Sequence, residues 1–481
     1  MNCNPENSSE VVVRSFVWKM LERLFTQGVS LIVQIVLARL LLPKDFGTLA
    51  IILTIINYVG LFVQSGLSAA LIQKKDLDDM DVGTLLTASL VVASILYVCL
   101  FLCAPLIAVY YSTEIIAPLR VVSIVLFLYG YNSVQTALYY REMRFKALFF
   151  RSALAIPISG AIGIIMACMG YGIWALVAYT IVNTLTIVAF MLLDTKVRIK
   201  LCFSWERAKL LYSFSIKILV ANLISGFGDA FRTMIIGNKY KSETLAYYDK
   251  ANTYSSYVTQ SITVSLSSVL LPTFSREQDD LVRLKSMARR SVSMTSYLTI
   301  PVLLAVAVMA KPLVLLLLTE KWAPAIPFLM VFCLLRIPGC IVSIDKQVFY
   351  ALGNSAIDMV YEIVLLIVNL IVLYFTISIG VMAIAIGITI VEYIGSTVIF
   401  ILAHKYYHYK MSDRLKDVFK PLLFSLIMCL AMYFVEQINL NNLYVVISQI
   451  IVGILVYFGL SYFSRNDNLF YIINMIKNRI S

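Results

Sequence analysis

Long apolar runs follow one another along almost the whole chain, separated by short polar connectors. A helix needs about 20 mostly apolar residues to cross a bilayer, so this succession predicts a multi-span integral membrane protein. Composition agrees: 60% of residues are hydrophobic and 14% charged, against roughly 45–50% and about 25% in soluble domains. Lipid admits only helices and closed barrels, and these runs are continuous rather than short and alternating, so the fold class is all-α.

Reading the runs against their breakers gives about fourteen spans: 16–42, 47–72, 83–109, 118–140, 147–169, 173–193, 209–237, 254–274, 291–319, 324–344, 356–377, 381–403, 418–436 and 441–464. The connectors Gly170 to Gly172 and Ser378 to Gly380 are short enough to demand tight antiparallel hairpins. The 39 Lys and Arg outnumber the 27 Asp and Glu, for a formal charge of +12. In a soluble protein that excess would suggest nucleic acid, but here 25 basic residues lie in connectors after even-numbered spans and only 8 beside odd-numbered ones. Such a bias orients helices and attracts anionic headgroups, so no nucleic-acid partner is expected and both termini are expected in the cytoplasm. The N-terminus MNCNPENSSE lacks the regions of a cleaved signal peptide. The eight cysteines form no CxxC and lie mostly in apolar runs, so no disulfide framework is expected.

An internal repeat is visible. A gapless offset of 199 lays Ala38 to Gln73 over Gly237 to Pro272, and Pro105-Leu106 with Ala117-Pro118 recurs as Pro312-Leu313 with Ala323-Pro324. Spans 1–6 and 7–12 are therefore read as two halves in parallel orientation, residues 1–200 and 201–410, with 411–481 adding spans 13 and 14. Paired halves commonly place a site at their interface and rock against each other.

Six basic residues remain in or near spans: Arg14, Lys19, Arg23, Lys217, Arg232 and Arg336. In the first span Lys19, Glu22, Arg23, Thr26, Gln27, Ser30 and Gln34 fall within a sector of about 140°, a continuous polar stripe. In the seventh, Asn222, Ser225, Asp229 and Arg232 share about 80°, with Lys217 beside them. A charge at the bilayer centre costs at least ~2.5–3.5 kcal/mol, so the stripes should face a wet cavity or pair within the bundle. Pairing of Glu22 or Asp229 with Lys19, Arg23 or Arg232, and snorkelling of Lys19 and Arg23, stay open beside the cavity reading. Asn57 and Gln64 share a face of the second span, and Gln260 lies in a hydroxyl-rich eighth span; helix packing through small polar groups is the alternative for these.

Glu362 and Glu392 stand as isolated acids in spans 11 and 12. They are candidates, with Asp229, for a coupling ion, although Lys346 or Arg336 could equally satisfy them. His404 and His408, spaced i, i+4, sit in the basic segment AHKYYHYK and read as headgroup contacts rather than a metal site. No phosphate-loop motif occurs and no soluble region exists to assemble a triad, so neither an enzyme nor a resident cofactor is expected.

The segments VLARLLLPKDFGTLA (36–50), GLSAALIQKKDLDD (66–79), LLPTFSREQDD (270–280) and TIPVLLAVAVMAKPLVLLLLTEKWAPA (299–325) together resemble bacterial Wzx-type polysaccharide exporters. The resemblance is to the colanic or teichuronic acid branch of the multidrug/oligosaccharidyl-lipid/polysaccharide superfamily. It implies an inner-membrane flippase that moves an undecaprenyl-pyrophosphate-linked oligosaccharide to the periplasmic leaflet for O-antigen, capsule or exopolysaccharide assembly. It also implies two six-helix lobes around a central cavity whose cations meet the diphosphate, with membrane lipids, a polysaccharide polymerase and export machinery as partners. Lys19, Arg23, Lys217 and Arg232 are the candidates for that contact, and a transported H+ or Na+, or the membrane potential, would bias the cycle. One departure concerns Ile236-Gly237: many relatives carry an acid shortly before it, whereas this chain has Arg232, with Asp229 one turn earlier. A MATE-type multidrug exporter would share the bundle but favour acids and aromatics over a cation-rich stripe. A membrane-embedded glycan polymerase would need a large outward loop, and the outward connectors here are short.

Overall fold

The computed structural model describes residues 5–64, 71, 77–193, 201–438 and 441–480, and their side chains except those of 5–17, 210–214, 217, 261–269, 472 and 475–480. Among these residues the regular structure is helical throughout. In chain order the helices are α1 (Pro5–Leu40), α2 (Pro43–Gln64), α3 (Asp79–Tyr110), α4 (Ile116–Val122), α5 (Val125–Arg141), α6 (Phe145–Cys168), α7 (Ile173–Leu193) and α8 (Trp205–Lys239). They continue as α9 (Ser242–Arg276), α10 (Leu281–Val308), α11 (Ala310–Leu318), α12 (Ile326–Ala351), α13 (Ser355–Thr376), α14 (Val381–Tyr407), α15 (Met411–Glu436), α16 (Asn442–Phe463) and α17 (Asp467–Ile480).

Over the described residues each expected span falls on helical structure, residues 65–70 and 72 at the end of the second lying outside them, and 13 helical segments among the described residues are long and apolar enough to cross a membrane. The eighth expected span lies in α9, whose hydroxyl-rich sequence keeps it off that count. Along α13 the outward residues Val360, Val364, Ile367 and Ile371 recur at helical spacing, an apolar stripe suited to lipid rather than water. This is a multi-pass membrane protein. Beyond the expected spans the chain forms α17, an amphipathic helix anchored where Asn468 donates to Ser293 Oγ (2.9 Å) and Arg290 stacks on Tyr471 (4.0 Å).

Packing divides the chain into two compact units, Met1–Ala246 and Tyr247–Ser481. In the first, α6 lies against α1 and α7, α3 against α5, and α8 against α2 and α3. In the second, α10 lies against α12 and α15, α14 against α12 and α13, and α16 against α15 and α11. The sequence repeat opens its second half at 201, whereas α8 packs with the first unit: the Tyr58 hydroxyl donates to the Leu223 carbonyl (3.3 Å) and that of Tyr111 to Met234 (3.1 Å).

The hairpin connectors form where expected. Gly170 (φ 82°), Gly172 (φ 53°) and Gly380 (φ 154°) take backbone conformations that a Cβ disfavours, so the chain reverses within a few residues. The repeated Pro motifs also correspond structurally. In each half a helix carrying the first proline, α3 with Pro105 or α11 with Pro312, is followed by a 3-10 turn, Thr113–Ile115 or Glu320–Ala325, before the chain turns back.

Candidate functional site

The polar stripe of α1 begins in an aromatic setting. Trp18 packs on Phe149 of α6 (5.4 Å between ring centroids), and the Lys19 ammonium lies over Tyr140 (5.2 Å) and Phe145 (5.8 Å), a contact that favours a cation over a ring face. Glu22, at the edge of the stripe nearest α6, accepts from Ser152 Oγ at 3.1 Å. The Thr26 hydroxyl donates to the Arg23 carbonyl (3.0 Å), which leaves α1 intact while placing a polar atom inside an apolar length of helix. Arg23, Gln27, Ser30 and Gln34 are half-buried along the same helix. Asn57 of α2 accepts from the Tyr129 hydroxyl through its side-chain Oδ1 (3.0 Å), whereas at Gln64 it is the backbone carbonyl that accepts from Ser133 Oγ (3.2 Å).

On α8 the Arg232 guanidinium meets Asp229 at 3.1 Å, one turn apart, with Arg232 largely covered and the Asp229 side chain 84% exposed. This is the pairing left open by the sequence. Ser225 Oγ donates to the Asn222 carbonyl (3.1 Å), while Asn222 itself is exposed. Lys217 has its side chain outside the described residues. Gln260 is exposed on α9.

In the second unit the two acids that look isolated in the sequence are not. Lys346 of α12 binds Asp358 (2.7 Å) and Glu362 of α13 together, and the charge of Glu392 on α14 acts on the same lysine and on Arg336. Arg336 donates to Asn252 Oδ1 (2.6 Å). Lys346 counts as a connector residue by sequence but sits inside α12, and Asp358, one turn before Glu362, completes the group.

Three arginines that the sequence reading assigns to basic connectors, buried Arg414 and half-buried Arg289 and Arg151, lie within helices and make specific contacts. Arg414 forms a two-pronged pair with fully buried Asp345, at 2.9 and 3.0 Å, with Tyr407 also donating to Asp345. Its plane lies over Phe400 (4.0 Å) and Tyr409 (4.2 Å). Beside it Arg289 grips Asp417 through two bonds of 2.7 and 2.8 Å. In the first unit Arg151 of α6 donates through Nη1 to Asn132 Oδ1 and Thr136 Oγ1 of α5, both at 3.0 Å, and to Met191 Sδ of α7 at 3.4 Å. His404 and His408 do not share a helix: His408 adopts the left-handed conformation (φ 57°) that ends α14.

The polysaccharide biosynthesis protein family matches residues 36–327, more than half of the chain. The chain belongs to that family. A similar protein is the succinoglycan biosynthesis transport protein ExoT of Rhizobium meliloti, 27% identical over 327 residues, 68% of this chain and 66% of that relative. The chain thus aligns with just under two thirds of ExoT's length. Among solved structures, the lipid II flippase MurJ in an inward closed conformation superposes with a TM-score of 0.78 at 16% identity, covering 94% of this chain and 99% of MurJ. An inward-facing multidrug resistance MATE transporter superposes with a TM-score of 0.61 at 15% identity, covering 81% and 94%. The polysaccharide biosynthesis protein described above therefore has the fold shared by MurJ and the MATE transporters.

Proposed function

We propose that this protein is a flippase that moves an undecaprenyl-pyrophosphate-linked oligosaccharide from the cytoplasmic to the periplasmic leaflet of a bacterial inner membrane, with both termini in the cytoplasm. Membership of the polysaccharide biosynthesis family is the observation that carries this reading. The reaction makes and breaks no bond, so the protein acts as a carrier rather than an enzyme.

The chemistry of the helices suits the cargo. A diphosphate leaving water needs cations, offered by Lys19, Arg23, Lys217 and Arg232, while sugars need amide and hydroxyl partners such as Gln27, Gln34, Asn57 and Gln64. The prenyl tail stays in lipid. Arg232 is engaged with Asp229, but the acid is the exposed member, so exchanging it for a phosphate costs little. In the alternating-access scheme that the family resemblance implies, H+, Na+ or the membrane potential resets the cycle, with Asp229, Glu362 and Glu392 as the acids that would carry it.

The MATE-like superposition favours a second reading, export of cationic drugs, because the two activities share one bundle. Reconstitution separates them. Liposomes containing the purified protein and a fluorescent lipid-linked oligosaccharide should show the label moving between leaflets. Drug efflux with no movement of the lipid-linked sugar would establish the second reading instead. Arg23→Ala should abolish export while the protein stays abundant in the membrane, and normal export from that variant would remove Arg23 from the site.

A further inference from the structure

Arg151 is a cation with no place in the scheme above. It lies about a turn and a half into α6, five residues beyond Lys146 and so roughly 7–8 Å deeper along the helix. Lys146 itself stacks on Trp18 (5.8 Å) and Phe150 (5.9 Å), and Lys19 lies over Tyr140 and Phe145. Aromatic rings interleaved with cations are the usual furniture of the headgroup layer, which places Arg151 just beneath it.

A guanidinium taken out of water is ordinarily matched by a carboxylate. Among the described residues the hydrogen bonds of Arg151 go instead to Asn132, Thr136 and Met191, all neutral, and its buried Nε has no partner there. Thr136 Oγ1 also donates to Asn132 Oδ1 (3.2 Å), so the two anchors brace each other and hold one edge of the guanidinium still. The acid whose charge reaches it is Glu22 on α1, but the bond Glu22 accepts comes from Ser152. A cation held by neutral groups, with its counter-charge bonded elsewhere, is suited to receive an anion.

We infer that Arg151 binds a phosphate group of the lipid-linked diphosphate as that headgroup leaves the membrane surface, the phosphate taking the place of Glu22 as its counter-charge. The inference rests on the flippase reading for the identity of the lipid. Asn132 and Thr136 are positioning residues, and Lys19, one turn from Glu22 on α1, supplies the second positive charge.

The test measures binding of undecaprenyl pyrophosphate against undecaprenol, which has the same kind of tail and no phosphate, to the purified protein in nanodiscs. The wild type should prefer the pyrophosphate, Arg151→Gln should lose about tenfold or more of that preference, and Arg151→Lys should keep most of it. A folded Arg151→Gln protein with unchanged preference overturns the assignment. Should that variant fail to fold, Thr136→Val keeps the charge and frees the guanidinium edge; it should weaken the preference severalfold, and no change would again overturn it. Displacement of undecaprenyl pyrophosphate by an equal concentration of phosphatidylglycerol would assign the site to ordinary membrane lipid and overturn its link to the cargo. A wild type that binds the pyrophosphate selectively but moves no lipid-linked sugar would refute the flippase reading and leave Arg151 as a phosphate site.

Discussion

Arg414 and Arg151 solve the same physical problem in opposite ways. Each is a guanidinium withdrawn from water inside a helical bundle. Arg414 meets a fully buried carboxylate through two bonds, a tyrosine shares that carboxylate, and aromatic rings cover the planar face. Arg151 is tethered by an amide, a hydroxyl and a thioether, with its nearest acid bonded elsewhere. The first arrangement matches charge to charge and ties α15 to α12. The second has only neutral bonding partners among the described residues, and that difference in counter-charge is what the phosphate assignment rests on.

The comparison can be broken in several ways, taken from the largest expected effect. Arg414→Ala strands a buried Asp345 and should cost ~3–5 kcal/mol, read as a large fall in thermal midpoint and membrane abundance. Replacing both partners, Arg414→Met with Asp345→Leu, should recover most of that loss, because a well-packed apolar pair serves as well as a buried ion pair. If the double variant is as unstable as the single, Arg414 does more than pair with Asp345. Lys346→Met leaves Asp358, Glu362 and Glu392 without their shared cation and should destabilise by about 1–3 kcal/mol, with Glu362→Gln relieving part of it in the double variant. Arg151→Gln should cost less than about 1 kcal/mol in stability while removing most transport, since no buried carboxylate is stranded. Lys285→Ala, which opens a solvent-screened pair with Asp413 (3.2 Å), should change the thermal midpoint least and leave transport intact.

The architecture was legible because apolar length and glycine punctuation are local signals. The sixth span, expected at 173–193, is Ile173–Leu193, and the Gly170 and Gly380 hairpins stand where the short connectors required them. The stripe on α1 was legible too, since it depends only on helical periodicity. What a stripe faces is a matter of tertiary contact. Counting charges by connector put Arg151, Lys346 and Arg414 among residues that merely orient the chain, although each lies within a helix. The partner of Arg414 is 69 residues away in the chain, and the three acids around Lys346 come from two helices. No spacing rule joins such residues before the helices pack. The pairing of Arg232 with Asp229 was foreseeable as an i, i+3 contact, but the exposure of its acid was not.

The central claim is that this fold carries a lipid-linked glycan across the membrane. Its most direct test is the leaflet distribution of a fluorescent undecaprenyl-pyrophosphate oligosaccharide in liposomes, with wild type and Arg151→Gln protein reconstituted at equal density. The account predicts time-dependent exposure of the sugar on the opposite leaflet with the wild type and little or none with the variant. Leaflet distribution identical to protein-free liposomes for a folded wild type would contradict it.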